Sequence, residues 1–329
     1  MSAQLTELVE AGDLNGLLRA VDGLCADRSW DELLRLADRC ADAIERGKQL
    51  WPITEHIDYR LALEAPGEYA ARVLKPDVGR FAHGPLTEVA ASTHAWAELA
   101  PHIGTPQAAA YVAQERVLRG EVLTGDGRAH PEVLELPLNL QGWEPTYCLA
   151  VFRADHVEVP EPWDPRAPFE EIATDPGAVV EDSELTGALL DLVQPWISES
   201  NGAAQVVVVE GGAAAAAAAL TYGPLRMGSL EPAEAVQAMA WAAASGGAHG
   251  RRRGAALGRF AAWYTAALLS GLEWPVDPDD LGRELEHLAW HRWDEGEPEE
   301  GWVLRLAIEH ADGWAAAIGA SDVLEEANE

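Results

Sequence analysis

The string Ser245–Trp263, SGGAHGRRRGAALGRFAAW, concentrates groups that bind anions. Arg251, Arg252 and Arg253 stand in a row behind Gly246, Gly247, Ala248, His249 and Gly250, in a chain with 55 acidic and 23 basic residues. Glycine-rich backbone lets consecutive N–H groups converge, and a helix start behind the loop adds partial positive charge. Guanidinium forks grip carboxylate or phosphate bidentately, and His249 adds a titratable ring. This chemistry marks Gly247, His249, Gly250, Arg251, Arg252 and Arg253 as an anion-binding set. A structural reading stands beside it. Gly246, Gly250, Gly254 and Gly258 fall four apart, so on a helix they form a smooth ridge for close packing, with the arginines neutralising nearby carboxylates.

Two further clusters carry less chemistry. Glu210-Gly211-Gly212 falls at a strand-to-helix turn, where α/β sheets bind ligands, but neither GxGxxG nor GxxxxGK[ST] is present. Glu284, His287 and His291 in RELEHLAWHRW occupy one face if the segment is helical, which makes them the metal candidates. They complete neither a His-Glu-x-x-His zinc motif nor a paired Glu-x-x-His di-iron motif, so no metal is expected. There is no GxSxG elbow, and the remaining histidines are scattered. No catalytic residue is assigned, and no cofactor is expected.

These groups need a scaffold, and the composition bounds it. A formal net charge of −32 argues against direct nucleic-acid binding, which draws on clustered Lys and Arg, and against an anionic membrane surface. Three cysteines without a CxxC pair suggest neither a disulfide framework nor a zinc ribbon. The start MSAQLTELVEAGD lacks the basic and apolar regions of a signal peptide. The most apolar segment, Ala255–Leu272, contains Arg259 and does not resemble a membrane span. A cytoplasmic protein is expected. Thirteen tryptophans against four phenylalanines point to large aromatic core contributions.

Periodicity then divides the chain. Residues 1–122 read as paired helices. Asp13 is an N-cap, Ser29–Glu32 (SWDE) a capping box, and Thr105-Pro106 a further helix start. Residues 123–154 form a connector ending in the apolar run TYCLAVF, expected to be a strand buried on both faces. Residues 155–184 are Pro-rich, with ten carboxylates against Arg166 alone, and read as a solvated linker. Residues 185–329 open with the strand QVVVV (205–209), a helix of seven alanines (213–219) and a third strand over 225–229, and are expected to be helical from Pro232 onward. The expected fold is therefore mainly α with a small α/β part: an αα-hairpin, HEAT-like N-terminal half, and a C-terminal half holding a short, mostly parallel sheet flanked by helices.

The segment GGAHGRRRGAALGRF followed by WPVDPDDLG resembles a block of an uncharacterised family of high-GC bacteria, a resemblance that implies no activity. With no complete catalytic constellation in view, the first functional expectation is a non-enzymatic interaction or scaffold protein with a protein partner and an open oligomeric state. The alternative is an enzyme or binding protein for a phosphate- or carboxylate-bearing small molecule at the His249/Arg251–Arg253 loop. A third is an acidic mimic of nucleic acid.

Overall fold

The computed structural model describes residues 3–74, 83–162, 168–296 and 301–323. The chain forms two compact units, one of residues 1–139 and 150–158, the other of residues 140–149 and 159–329. Arg166 of the acidic linker lies outside the described residues.

The first unit is helical: α1 (Ala3–Ala11), α2 (Leu14–Ala26), α3 (Trp30–Glu45), α4 (Trp51–Glu64), α5 (Gly67–Ala70), α6 (Leu86–Thr93), α7 (Trp96–Leu99) and α8 (Pro106–Leu118), with a small hairpin of β1 (Val151–Phe152) and β2 (Val157–Glu158). Local chemistry sets several starts. Asp13 accepts the Gly16 N–H at 2.9 Å and Thr105 the Ala108 N–H at 3.2 Å. Ser29 makes no side-chain cap, so the SWDE box does not form. Apolar positions such as Val21, Leu33, Leu36, Ile57, Leu61, Val89 and Val112 are fully buried in one core. TYCLAVF is not a doubly buried strand. Only Val151 and Phe152 are extended in a ladder, and Val151 is exposed.

The second unit contains β3 (Glu170–Ile172), β4 (Ala178–Val179), α9 (Ser183–Asp191), α10 (Gln194–Ser198), β5 (Ala203–Glu210), α11 (Ala213–Ala218), β6 (Leu225–Leu230), α12 (Pro232–Ala244), α13 (Ala255–Leu269), α14 (Pro278–Leu285), β7 (Ala289–Asp294), β8 (Trp302–His310) and β9 (Trp314–Asp322). Its strands form one seven-stranded sheet in the order β3-β6-β7-β8-β9-β5-β4, and every ladder is antiparallel. That sheet overturns the expected fold class of helical hairpins with a short, mostly parallel sheet. The error has a specific source. Because all neighbours alternate in direction, β5 and β6 do run the same way, joined by α11. They are not adjacent, however, because β7, β8 and β9 lie between them. From Pro232 onward the chain is helical through α12, α13 and α14, but β7, β8 and β9, expected to continue as helix, supply the middle of the sheet.

The sheet is strongly curled. Its outermost strands, β3 and β4, are linked by only residues 173–177. Six residue steps reach at most about 22 Å, whereas six strand spacings across a flat sheet cover about 29 Å. The curl wraps α11, whose methyl-only surface packs with Val209, Leu225, Met227, Trp293, Ala315 and Ala317. Gly177 N–H donates to Ala215 O at 3.3 Å, so the β3–β4 link also crosses this helix. Gly319 makes room in β9, since a Cβ there would lie 2.9 Å from the Trp293 ring.

Candidate functional site

Helix α13 and the loop before it organise the second unit's charged groups. The loop leaves α12 at Ala244 and returns to the same point, where Arg253 N–H donates to Ala244 O at 2.8 Å. It is therefore a closed Ω-type loop rather than part of a helical glycine ridge. Only Gly258 of the four spaced glycines is helical, and a Cβ there would come within 2.3 Å of Ala240 O, so it sets the close approach of α12 and α13. Gly246 and Gly250 pack on each other, while Gly247 and Gly254 have φ of +73° and +96°, values that favour glycine.

The loop's N–H groups do converge on oxygen, but the oxygens belong to the protein. Gly247 N–H donates to Ser245 Oγ at 3.0 Å, Ala248 N–H to Asp322 Oδ2, His249 N–H to Ser200 Oγ at 3.0 Å, and Arg251 N–H to Glu199 Oε2 at 3.3 Å. Asp322 is fully buried at the end of β9. The Arg251 guanidinium also binds Glu199, with Nε 3.1 Å from Oε2. Its hydrogen bond, opposed by partial burial, holds the Glu199 carboxyl below its ordinary range. The His249 side chain is exposed, and Gly250 is half-buried against Glu199.

The three arginines thus part company. Arg251 is ion-paired and Arg252 is buried, whereas Arg253 borders a cavity of about 300 Å³. Among the described residues of this unit, Arg253 is the one cationic side chain without a hydrogen bond, ion pair or ring contact. The cavity wall is one stripe of α13, Leu257, Phe260, Ala261 and Tyr264, with Thr265 below and Ala188, Asp191 and Gln194 opposite. These positions recur at helical spacing, yet Leu257, Phe260, Ala261 and Tyr264 are each only half-buried. Phe260 and Tyr264 stack with centroids 6.2 Å apart, and Trp274 meets both edge-on.

The other side of α13 is sealed. Arg259 and Glu144 are both fully buried, with Nη2–Oε1 at 2.6 Å and Nε–Oε2 at 2.8 Å. Glu144 also accepts from Tyr147 OH, from Trp263 Nε1 at 3.0 Å and from Gln141 N–H at 2.9 Å. Burial alone would raise its carboxyl, but the Arg259 hydrogen bonds and charge, with Tyr147, outweigh that and leave it below its ordinary value. The same burial pushes the Tyr147 hydroxyl well up. This hub fixes α13, and with it the cavity wall. No motif announced it. A lone arginine in an otherwise apolar helix was the available signal, because such a residue is buried only when paired.

The metal candidates are not brought onto one face. Glu284 is in the last turn of α14, and His287, 3.2 Å from it through Nδ1, lies just past the helix end. His291 is within β7, opposite Ser229 and Ala307. Ladders with β6 on one side and β8 on the other hold this segment as a strand, so tertiary pairing overrides the helical spacing. Burial lowers the His291 pKa. Among the described residues no group of three His, Cys, Asp or Glu side chains is arranged to hold a metal. At the Glu210-Gly211-Gly212 turn the Ala213 N–H is taken by Glu309 Oε2 at 2.9 Å. The first unit has its own cavity, of about 360 Å³, lined by Arg28, Trp30, Glu64, Thr93, His94 and Glu98 among others. Most of its polar groups are already engaged: Glu64 by Arg60, Glu98 by Gly67 N–H, and His94 by Ala65 O.

A family model matches residues 15–317, a span that contains every group of the α13 site. The chain belongs to the family of unknown function DUF6183. No curated protein and no solved structure matches it. Among the described residues, no helix is long and apolar enough to cross a membrane.

Proposed function

We propose that this chain is a cytoplasmic binding protein for a small carboxylate-bearing molecule with an apolar body, held at the α13 cavity with Arg253 as its charge partner. The observation that carries this reading is the Arg253 side chain, without a hydrogen bond or ion pair at the edge of an aromatic-walled cavity, while the other cationic groups among the described residues of the unit are engaged. A cavity of about 300 Å³ sits at the lower end of the range for small-molecule sites, about 300–1,000 Å³, and suits a ligand of single-ring size. Arginine pairs with planar carboxylates through its fork, and a half-buried guanidinium beside apolar wall residues gives such a pair less screening than open water. A dianionic phosphate fits less well, because Asp191 borders the same space.

A scaffold role with a protein partner requires no cavity, so ligand binding separates the two readings. The test is calorimetric titration with 3-phenylpropanoate, with thermal melting alongside. Saturable binding that raises the melting temperature and is weakened about tenfold by Arg253→Gln is the expected result. If Arg253→Gln binds the ligand equally well, or if neither 3-phenylpropanoate nor its 2-amino form binds, the ligand-binding reading fails and the interaction reading replaces it.

A further inference from the structure

We infer that the ligand of the α13 cavity is a zwitterion, an α-amino acid with an apolar or aromatic side chain; this rests on the carboxylate-binding reading of the same cavity. The cavity border carries both signs of charge. Arg253 enters from the loop before α13, while Asp191 at the end of α9 and Gln194 at the start of α10 stand on the other wall. Asp191 is exposed and, like Arg253, makes no hydrogen bond or ion pair among the described residues. The two are therefore opposite charges on one small cavity that do not close on each other. Among the described residues of this unit, Glu199, Glu144 and Asp294 each hold an arginine, whereas Asp191 and Arg253 border one cavity without pairing.

A ligand with a single negative charge satisfies Arg253 but brings its carboxylate into the field of Asp191, a like-charge juxtaposition that costs affinity. A zwitterion satisfies both: its carboxylate meets the guanidinium, and its ammonium meets the Asp191 carboxylate with the Gln194 amide oxygen as a neutral acceptor. The side chain then has the stripe of Leu257, Phe260 and Tyr264 to cover, including a pair of rings already stacked. Asp191 thereby acts as a selectivity group, rejecting acids without an amine and admitting amino acids.

The experiment compares three ligands of one skeleton on the full chain: L-phenylalanine, 3-phenylpropanoate and 2-phenylethylammonium, titrated into wild type, Arg253→Gln and Asp191→Asn. The inference expects L-phenylalanine to bind about tenfold tighter than either singly charged analogue. Each substitution should weaken L-phenylalanine by several-fold to tenfold, and Asp191→Asn should leave 3-phenylpropanoate as tight or tighter. If 3-phenylpropanoate binds wild type as well as L-phenylalanine does, through Arg253, the zwitterion is wrong while the carboxylate site stands. If neither ligand binds, or Arg253→Gln changes nothing, both readings fall. Preference for 2-phenylethylammonium also overturns both. Unchanged melting temperatures of the two variants without ligand keep the comparison to binding.

Discussion

Arg259 and Arg253 lie six residues apart along the same helix and its leading loop, yet they have opposite fates. Arg259 is fully buried and locked to Glu144, whose oxygens accept from four different residues. Arg253 borders an open cavity, in the field of Glu199 but with no side-chain hydrogen bond or ion pair among the described residues. The first arrangement spends an arginine on holding α13 in place, since a buried guanidinium without its carboxylate is far costlier than either group absent. The second keeps an arginine in reserve. In a protein with a net charge of −32, leaving a cation unpaired is the less common choice, and it is this contrast that separates architecture from site.

Breaking the sealed side should have the largest effect. Glu144→Ala strands the Arg259 charge, and urea unfolding should show a loss of about 3–5 kcal/mol in the second unit. The pH dependence has a definite sign. Glu144 is held below its ordinary value, so its contribution is complete above the normal carboxylate pKa, about 4.3, and disappears as pH falls through the lower folded value. The stability gap between wild type and Glu144→Gln should therefore shrink on acidification below about pH 4. A gap independent of pH would show that the carboxylate charge is not what anchors Arg259.

A middle-sized effect is expected where α13 meets α12. Gly258→Val places side-chain atoms against Ala240 O and the Ala244 methyl, and overpacking of this kind costs about 1–3 kcal/mol. Because the change shifts the cavity wall, weakened ligand binding should accompany the lower melting temperature. Retained affinity in the melted-down variant would mean that the wall is not part of the site. The smallest effect belongs to the exposed pair. Glu199→Gln should change stability by less than about 1 kcal/mol, as exposed ion pairs do. Calorimetry on that variant should show ligand affinity within about twofold of wild type if Arg253, not Arg251, is the binding group.

The sequence exposed the Arg triplet but not the sorting of its members. That depends on Ser200 and Glu199, about fifty residues earlier in the chain, and on Asp322, about seventy later, and no local pattern ties those to the loop. Within the fold, Val206–Val209 as strand, the alanine run as helix and the Asp13 and Thr105 caps follow from short-range chemistry. The strands β7–β9 did not, and the reason is visible in their residues. Ala315–Ala317 and the Ala307 neighbourhood carry helix-favouring side chains that pair as strands because tertiary packing decides. The spacing of Glu284, His287 and His291 imitated a helix face. One signal was available: Asp312-Gly313 between two long runs is a hairpin turn, with Gly313 at φ +85°. Strands joined by so tight a turn pair antiparallel, which a mostly parallel sheet does not allow.

The order of strands also bears on how the second unit is made. Strands β5 and β6 emerge early, and until β7–β9 follow, their partners in the sheet are two- and three-residue segments, β4 and β3. The long ladders of β5 with β9 and β6 with β7 join residues far apart in sequence, a topology that slows folding because loop closure precedes the reward. On the ribosome, then, the polyalanine helix is synthesised well before the sheet that wraps it can close, and β5 waits for β9, which is translated more than a hundred residues later.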